Sequence, residues 1–526
     1  MSENESVSEE VNNGAGSQNP LGVKPLRWLI PHYALPATIA LVVNALYNIV
    51  DQIFIGQSVG YLGNAATNVI NPLVVIMLAV ATMWGDGCAS YISIQQGEDN
   101  NENASRGMCN TFVSAVIMGL LVLTVSEIFL EPLCWLFGAS ENSLPYAKEY
   151  GSIIAIGFPI TALLISVTSC ERVDGAAVYT MIGLLVACAI NVVLDAVFCL
   201  VLDWGVRGAA IATVIGQLIN LVWVLSYLPK LKHMSVKKKY FKPKWSVIRR
   251  VAALGLASFI LQLSFALISA VANNLLASFG AKSRYGEDIT VASFGITIKI
   301  YQVALNVVQG IATGSQPIMG YNYGAGKYKR TKSAFWISVI VGTAFLALAT
   351  IVFQTAPMAL VSLFGEESDL YNEFAVMCLR IFLMLCICNG LQTCTSIFFQ
   401  SVGKSVHASI NTFLKQIILV PVCMVIMAYA MGVTGVLWTG PITDFLAVVI
   451  SVILLKLEWK KLFPKKPEDG PQDKQPVQAA DDGQTADRQA TDAGQLQTKD
   501  AGQLEECSAL SGTSGQESAH NTPLDG

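Results

Sequence analysis

Long apolar segments recur along this chain of 526 residues, with short polar segments between them. Each is close to the length, about 20 residues, that a helix needs to cross the hydrocarbon core of a bilayer. They cover residues 28–53, 64–94, 107–130, 147–170, 176–200, 206–228, 250–279, 291–321, 333–355, 372–399, 408–429 and 433–456. The pattern predicts an all-α polytopic membrane protein with about twelve transmembrane helices.

Charge alternates between the connecting segments. Basic residues gather before the first span, in the segment KLKHMSVKKKYFKPKWSVIRR between the sixth and seventh spans, and after the last span. The intervening connections are mostly acidic, as at Glu141 and Glu149. The positive-inside rule therefore predicts a multi-pass protein of the cell membrane with both termini in the cytoplasm.

The two halves of the chain resemble each other. GVRG at 205–208 returns as GVTG at 432–435, and LFG at 136–138 returns as LFG at 363–365. Both halves start and end on the same side, which predicts two pseudo-symmetric six-helix bundles around a central cavity. The expected divisions are a cytoplasmic tail (1–26), an N-lobe (27–229), a basic linker (230–249), a C-lobe (250–458) and a disordered cytoplasmic tail (459–526).

The amino-acid composition indicates which kinds of partner to expect. With 53% hydrophobic and 13% charged residues, the chain is unlike a soluble domain. We expect membrane lipids and small molecules as partners, no nucleic acid, and a monomer.

The first span carries a polar stripe. Asn44, Tyr47, Asn48 and Asp51 are spaced by three and four residues, so they share one helical face. A carboxylate at the bilayer centre costs about 3 kcal/mol on insertion scales, so Asp51 should face a protein interior or a wet cavity. The alternative is that Asp51 lies near the outer interface and has no role.

A second polar set follows in the fifth and sixth spans. Asn191 and Asp195 stand four residues apart in NVVLD, and Thr213 follows in GAAIATVIGQ. With Asp51 they offer two carboxylates, an amide and a hydroxyl, which suits a hard cation such as Na⁺. Without a metal, two neighbouring carboxyls in low dielectric suit a proton carrier. The alternative is that Asn191 merely caps Asp195 within the bundle.

The segments ALYNIVDQIFIG, NVVLD, GVRGAAIATVIGQ and GIATGSQPIMGYNYGAGKYKR resemble those of the multidrug and toxic compound extrusion (MATE) transporters, over about residues 28–458. The resemblance implies an antiporter, not an enzyme, that expels organic and often cationic compounds against Na⁺ or H⁺ entry, with no cofactor besides that ion. It also implies an ion-coupling site at Asp51, Asn191, Asp195 and Thr213, and a cavity lined by Asn44, Tyr47 and Asn48. Some members carry a C-lobe site with acids in the seventh and tenth helices, and this sequence lacks those acids.

Further charges lie within the apolar segments, and we expect them to be buried for structural reasons. They are Asp86, Lys299, Arg380, Lys415 and Asp444. Since intramembrane charges usually pair, Asp444 should pair with Lys415 or Lys299. Alternatively, the C-lobe cations form a ring that binds an anionic group. That alternative would suit a flippase for lipid-linked precursors or a metabolite exporter of the same wider superfamily.

Overall fold

A computed structural model of the chain describes residues 19–362 and 368–464. The second LFG motif, most of the N-terminal tail and the C-terminal tail from residue 465 onward lie outside these residues. The described chain is built from helices, as the apolar pattern predicts.

Twelve helical segments follow the predicted spans, and we number them α1 to α12. Four of them consist of two pieces or contain a π-helical turn. The bounds are α1 Leu26–Val59, α2 Tyr61–Gly97, α3 Asn101–Ile128, α4a Leu144–Ile156, α4b Phe158–Asp174, α5 Ala177–Asp195 with a π-turn at Ala196–Val201, α6 Gly205–Leu225, α7 Trp245–Gly280, α8 Gly286–Gly324, α9 Tyr328–Thr355, α10a Asp369–Phe382, α10b Cys388–Ser401, α11a Ser405–Phe413, a π-turn at Leu414–Leu419, α11b Val420–Met431 and α12 Val433–Leu462.

Ten helices in the described residues are long and apolar enough to cross a membrane. The pair α4a and α4b, bent by 43°, forms an eleventh. The remaining segment, α10, consists of two helices of 14 residues each, so the predicted continuous span over 372–399 is interrupted at residues 383–387. Short helices at Pro20–Val23, Leu130–Leu136 and Pro357–Val361 complete the connections.

The internal repeat is visible in the backbone at three junctions. Glycines with positive φ stand at equivalent places in the two halves, where L-residues with a side chain are disfavoured. They are Gly60 and Gly286, Gly175 and Gly403, and Gly205 and Gly432. The repeated GVRG and GVTG motifs therefore mark the same sharp entry into α6 and α12.

Each half has its own hydrophobic core. One core is built around residues such as Ile55, Met77 and Phe158, and the other around residues such as Phe294 and Phe398. The first turns of α1 join the second core, so α1 starts against the C-lobe and ends within the N-lobe. The residue numbers at which one lobe gives way to the other remain a prediction.

The lobes meet at the end of the bundle where α1 begins, which we call the basic end. Backbones touch there: a Cβ added at Gly255 of α7 would lie 1.8 Å from the carbonyl oxygen of Met83 in α2. A Cβ added at Gly324 of α8 would lie 2.3 Å from the carbonyl oxygen of Ile94. Glycine at these positions permits the close approach of helices.

The segment between α6 and α7 packs against the N-lobe at the basic end. The Asp174 carboxylate accepts hydrogen bonds from the backbone N–H groups of Lys232 and His233, at 3.0 to 3.1 Å. The Asn110 amide donates to the carbonyl oxygen of Tyr240 and accepts from the N–H of Lys244. The predicted basic linker is therefore fixed by side chains of α3 and α4b.

Candidate functional site

Asp51, Asn191, Asp195 and Thr213 converge inside the N-lobe. They come from α1, α5 and α6, and all four are buried, with Asp195 at 0% exposure. The carboxyl groups of Asp51 and Asp195 lie next to each other. With its amide oriented by its neighbours, Asn191 donates to Asp195 Oδ2 at 3.1 Å and accepts from the Thr213 N–H at 3.3 Å. The structure thus brings together the four residues that the sequence grouped, while their role stays a prediction.

Oxygen atoms at this site lack hydrogen-bond partners in the described part of the chain. They are Asp51 Oδ1, Asp195 Oδ1 and Thr213 Oγ1. Buried polar atoms are normally satisfied, so such a group requires an explanation. Two carboxyl groups can hydrogen-bond to each other only when one carries a proton. A hard cation held by the same oxygens would equally satisfy them, so the donor set fits either H⁺ or Na⁺.

A π-helical turn lies directly after Asp195. The turn spans Ala196–Val201, and its Cys199 carbonyl oxygen accepts a hydrogen bond from Ser58 Oγ of α1 at 2.9 Å. Such turns occur often at functional sites because they redirect side chains and free backbone groups. Here the turn ties α1 to α5 close to the paired acids.

Two polar residues, one near the acids and one a helical turn from Thr213, were not predicted from the sequence. Tyr150 of α4a is buried near both carboxyl groups, and Gln217 of α6 has an Oε1 atom with no hydrogen-bond partner among the described residues. Gln217 lies one helical turn after Thr213, a spacing that could have identified it. Tyr150 stands close to the start of its span, where nothing local distinguishes it.

The three residues predicted to line a cavity divide into two groups. Tyr47 is half-buried and lies near Asp51 and Asp195. Asn44 and Asn48 are exposed, and the Asn48 amide donates to the Asn44 carbonyl oxygen at 2.6 Å. The polar stripe of α1 therefore runs from an exposed surface to the buried acids.

The C-lobe holds a buried charge pair. Lys415 Nζ lies 3.0 Å from Asp444 Oδ1, and the Asn389 amide donates to Asp444 Oδ2 at 2.9 Å. Lys415 also donates to Asn389 Oδ1. Lys299 and Arg380 are exposed, so the expectation that they are buried is wrong. Their apolar sequence neighbours did not indicate that these side chains occupy exposed positions.

Asp86 is buried at the contact between the lobes. Its carboxylate accepts a hydrogen bond from Ser258 Oγ of α7 at 2.8 Å and lies 3.7 Å from the Arg172 guanidinium. The Gln316 amide of α8 donates to the Asp86 carbonyl oxygen and to Ser90 Oγ. Asp86 therefore belongs to a polar cluster that joins the lobes at the basic end.

The fold is that of a polytopic membrane protein with two pseudo-symmetric lobes, and a pair of buried acids lies inside the first lobe. The MatE family profile matches residues 36–197 and 263–425, and the chain belongs to this family. It is similar to the multidrug export protein MepA of Staphylococcus aureus (strain MSSA476), with 24% identity over 427 residues, covering 81% of this chain and 92% of MepA. MepA of Staphylococcus saprophyticus is 22% identical over 442 residues, covering 83% and 95%.

Solved structures show the same fold. An outward-facing multidrug resistance MATE family transporter of the MOP superfamily superposes with a TM-score of 0.79 at 21% identity, covering 86% of this chain and 99% of that chain. A MOP superfamily transporter from Pyrococcus furiosus, described as having a binding pocket of reverse polarity, has a TM-score of 0.78 at 19% identity, covering 85% and 99%.

Proposed function

We propose that this protein is a secondary active antiporter that exports organic, cationic and amphiphilic compounds from the cytoplasm in exchange for Na⁺ or H⁺. The observation that carries the proposal is the buried pair Asp51 and Asp195, in which one oxygen of each carboxyl group has no hydrogen-bond partner among the described residues. The relatives named as multidrug export proteins support the export of drugs.

The acid pair couples the ion to the conformation of the lobe. A ligand shifts a conformational equilibrium only by its differential affinity for the two states. Because Asp51 lies on α1 and Asp195 on α5, a movement between these helices would bring the carboxyl groups together or separate them. Ion binding therefore favours the state in which they meet, and hydration after separation releases the ion.

The contacts between the lobes support alternating access. The glycine contacts and the Asp86 cluster lie at the basic end, whereas Asn44, Asn48 and Lys299 toward the opposite end are exposed. If both termini lie in the cytoplasm, as proposed, this arrangement corresponds to an outward-open state. A cysteine at exposed Lys238 should then react with a membrane-impermeant maleimide only from the cytoplasm, and a cysteine at exposed Glu141 only from outside. The reverse pattern would overturn the orientation.

The exporter function is tested with purified protein in vesicles that lack ATP. Rhodamine 123, a fluorescent organic cation, should be transported away from the side of the membrane that holds the protein's cytoplasmic face. A Na⁺ gradient and a pH gradient are imposed separately, and one of them should drive this transport. The gradient that drives efflux identifies the coupling ion. Failure of both gradients to drive efflux of any organic cation would refute the proposal. The rival flippase function depends on C-lobe cations. Lys415 is paired with Asp444, which leaves the exposed Lys299 and Arg380 for that role.

Closure of the lobes at the basic end is tested by adding a side chain to a glycine through which the lobes touch. Gly255→Ala places a methyl group against the Met83 carbonyl and should prevent the lobes from meeting there. We expect efflux to fall at least about tenfold at matched protein amount, because a contact below van der Waals distance forces the helices apart. Gly295→Ala is the matched control, since a Cβ at Gly295 meets no atom within 4 Å. Wild-type efflux in Gly255→Ala would show that closure of the lobes does not need this contact.

A further inference from the structure

The segment between α6 and α7 is held in place with its cationic side chains exposed. Met234 and Tyr240 are buried in the core of the N-lobe, and the Ser235 N–H donates to Ser105 Oγ of α3 at 3.1 Å. The exposed side chains around these anchors are mostly basic: Lys237, Lys238, Lys239, Lys242, Lys244 and Arg249. A fixed backbone therefore presents a row of cations at the basic end.

Most of these cations have no acidic partner. The sequence from 230 to 250 contains no aspartate or glutamate. In the described part of the chain, the one ion pair of this row joins Lys239 to Glu102 at 3.4 Å, and Glu102 also pairs with Arg106. Unpaired cations that lie close to a membrane attract anionic lipid headgroups, and each lysine adds to the attraction.

The same segment also exposes apolar side chains. Phe241 and Trp245 lie on the surface, and Trp245 is 74% exposed. Trp245 begins α7 and lies about 7 Å along the helix from residue 250, where the apolar segment starts, at a rise of about 1.5 Å per residue. That distance is about the thickness of the headgroup layer on one side of a bilayer. Tryptophan is enriched in that layer because its ring is amphipathic.

We propose that residues 236–245 form a binding surface for anionic phospholipids in the leaflet at the basic end. The lipid phosphate groups accept hydrogen bonds from Lys237, Lys238 and Lys242, while the rings of Phe241 and Trp245 insert between the lipids. A soluble anion would use only the lysines, so the exposed rings favour a lipid. This lipid site does not depend on the proposed export function.

Native mass spectrometry of the purified full-length protein in detergent tests the proposal, because it resolves individual bound lipids. Dissociation constants are measured for phosphatidylglycerol, which is anionic, and for phosphatidylcholine with the same acyl chains, which is zwitterionic. The test variant combines Lys237→Gln, Lys238→Gln and Lys242→Gln. The matched control removes the same charge from exposed positions at the opposite end of the bundle and combines Lys148→Gln, Arg207→Gln and Lys282→Gln.

The wild type should bind phosphatidylglycerol more tightly than phosphatidylcholine. In the lysine variant, the dissociation constant for phosphatidylglycerol should rise at least about tenfold, while that for phosphatidylcholine should stay the same. The control variant should behave like the wild type. An equal rise in the control would attribute the effect to net charge and would overturn the proposed site.

Trp245→Ser tests the apolar part of the surface. Both dissociation constants should rise by a similar factor of about three to ten, because insertion of a ring does not depend on the headgroup. Unchanged constants in this variant would show that the ring does not contact lipid. Equal binding of the two lipids by the wild type would overturn the whole proposal. That result is expected if the acidic sequence after residue 465 occupies the lysines instead.

Discussion

The two lobes share a fold, but the buried carboxyl groups in them have different partners. In the N-lobe, Asp51 and Asp195 face each other with no cation from the described part of the protein. In the C-lobe, Asp444 has a resident ammonium, Lys415, at 3.0 Å. An amide completes each site, from Asn191 in the first and Asn389 in the second.

This difference separates a site that needs a mobile cation from one that carries its own. Two buried carboxyl groups are stable only when a proton or a metal ion compensates them, and that ion can be exchanged with water. A covalently attached ammonium cannot leave. We therefore expect ion dependence to come from the N-lobe, while the C-lobe pair contributes stability.

The largest effect should follow from removing the N-lobe charges. Asp51→Asn and Asp195→Asn each keep side-chain size and should reduce ion-driven efflux of rhodamine 123 to background. The double variant should be little worse than either single one, because residues that act as one unit are non-additive. Initial efflux rates against ion concentration, at matched protein amount, provide the measurement.

Arg380→Gln is the control for charge removal in the other lobe and should export like the wild type. Wild-type ion dependence in Asp51→Asn would place the coupling site elsewhere and would remove the contrast between the lobes.

Breaking the C-lobe pair should instead affect the amount of folded protein. Asp444→Asn leaves the buried Lys415 ammonium without its carboxylate, which typically costs about 3–5 kcal/mol. We expect much less monodisperse protein after detergent extraction and a lower Tm. Lys415→Met combined with Asp444→Leu should recover most of both.

Glu373→Gln supplies the matched control, because Glu373 pairs with Arg284 in a solvent-exposed position. Exposed pairs contribute about 0–1 kcal/mol, so the yield should hardly change. Normal yield of Asp444→Asn together with lost export of all substrates would show that the pair acts in transport and not in stability.

Features that depend on the local spacing of residues could be predicted from the sequence. Apolar length predicted the spans, and the four-residue spacing of Asn191 and Asp195 placed both on one face of α5. The pairing of Asp444 with Lys415 was one of two options, and only the packing of α11 against α12 distinguishes Lys415 from Lys299. Lys299 lies in an equally apolar segment, yet it is exposed.

Features that depend on packing between helices left no local signal. The break of α10 at residues 383–387 falls in LMLCI, which contains neither glycine nor proline. The contact of the lobes at the basic end depends on which glycines face each other, such as Gly255 and Gly87. A periodic pattern identifies a helical face but not its partner.

The smallest effects should come from replacing neutral side chains beside the buried acids. These variants compare the ion dependence and the stability contributed by the two lobes. Asn191→Ala removes an amide that contacts Asp195, so the ion concentration for half-maximal efflux should rise about threefold to tenfold, equivalent to about 1 kcal/mol. Thr213→Ala should raise it about twofold to threefold, with little loss of stability, because Thr213 Oγ1 has no partner among the described residues. Asn389→Ala should mainly lower the Tm, since each hydrogen bond to a charged group contributes about 1.5–3 kcal/mol. Thermal unfolding and ion titration of efflux are measured on all three variants. If Asn389→Ala shifted the ion dependence as much as Asn191→Ala does, the C-lobe would also bind the coupling ion, and the resident ammonium of Lys415 would not replace it.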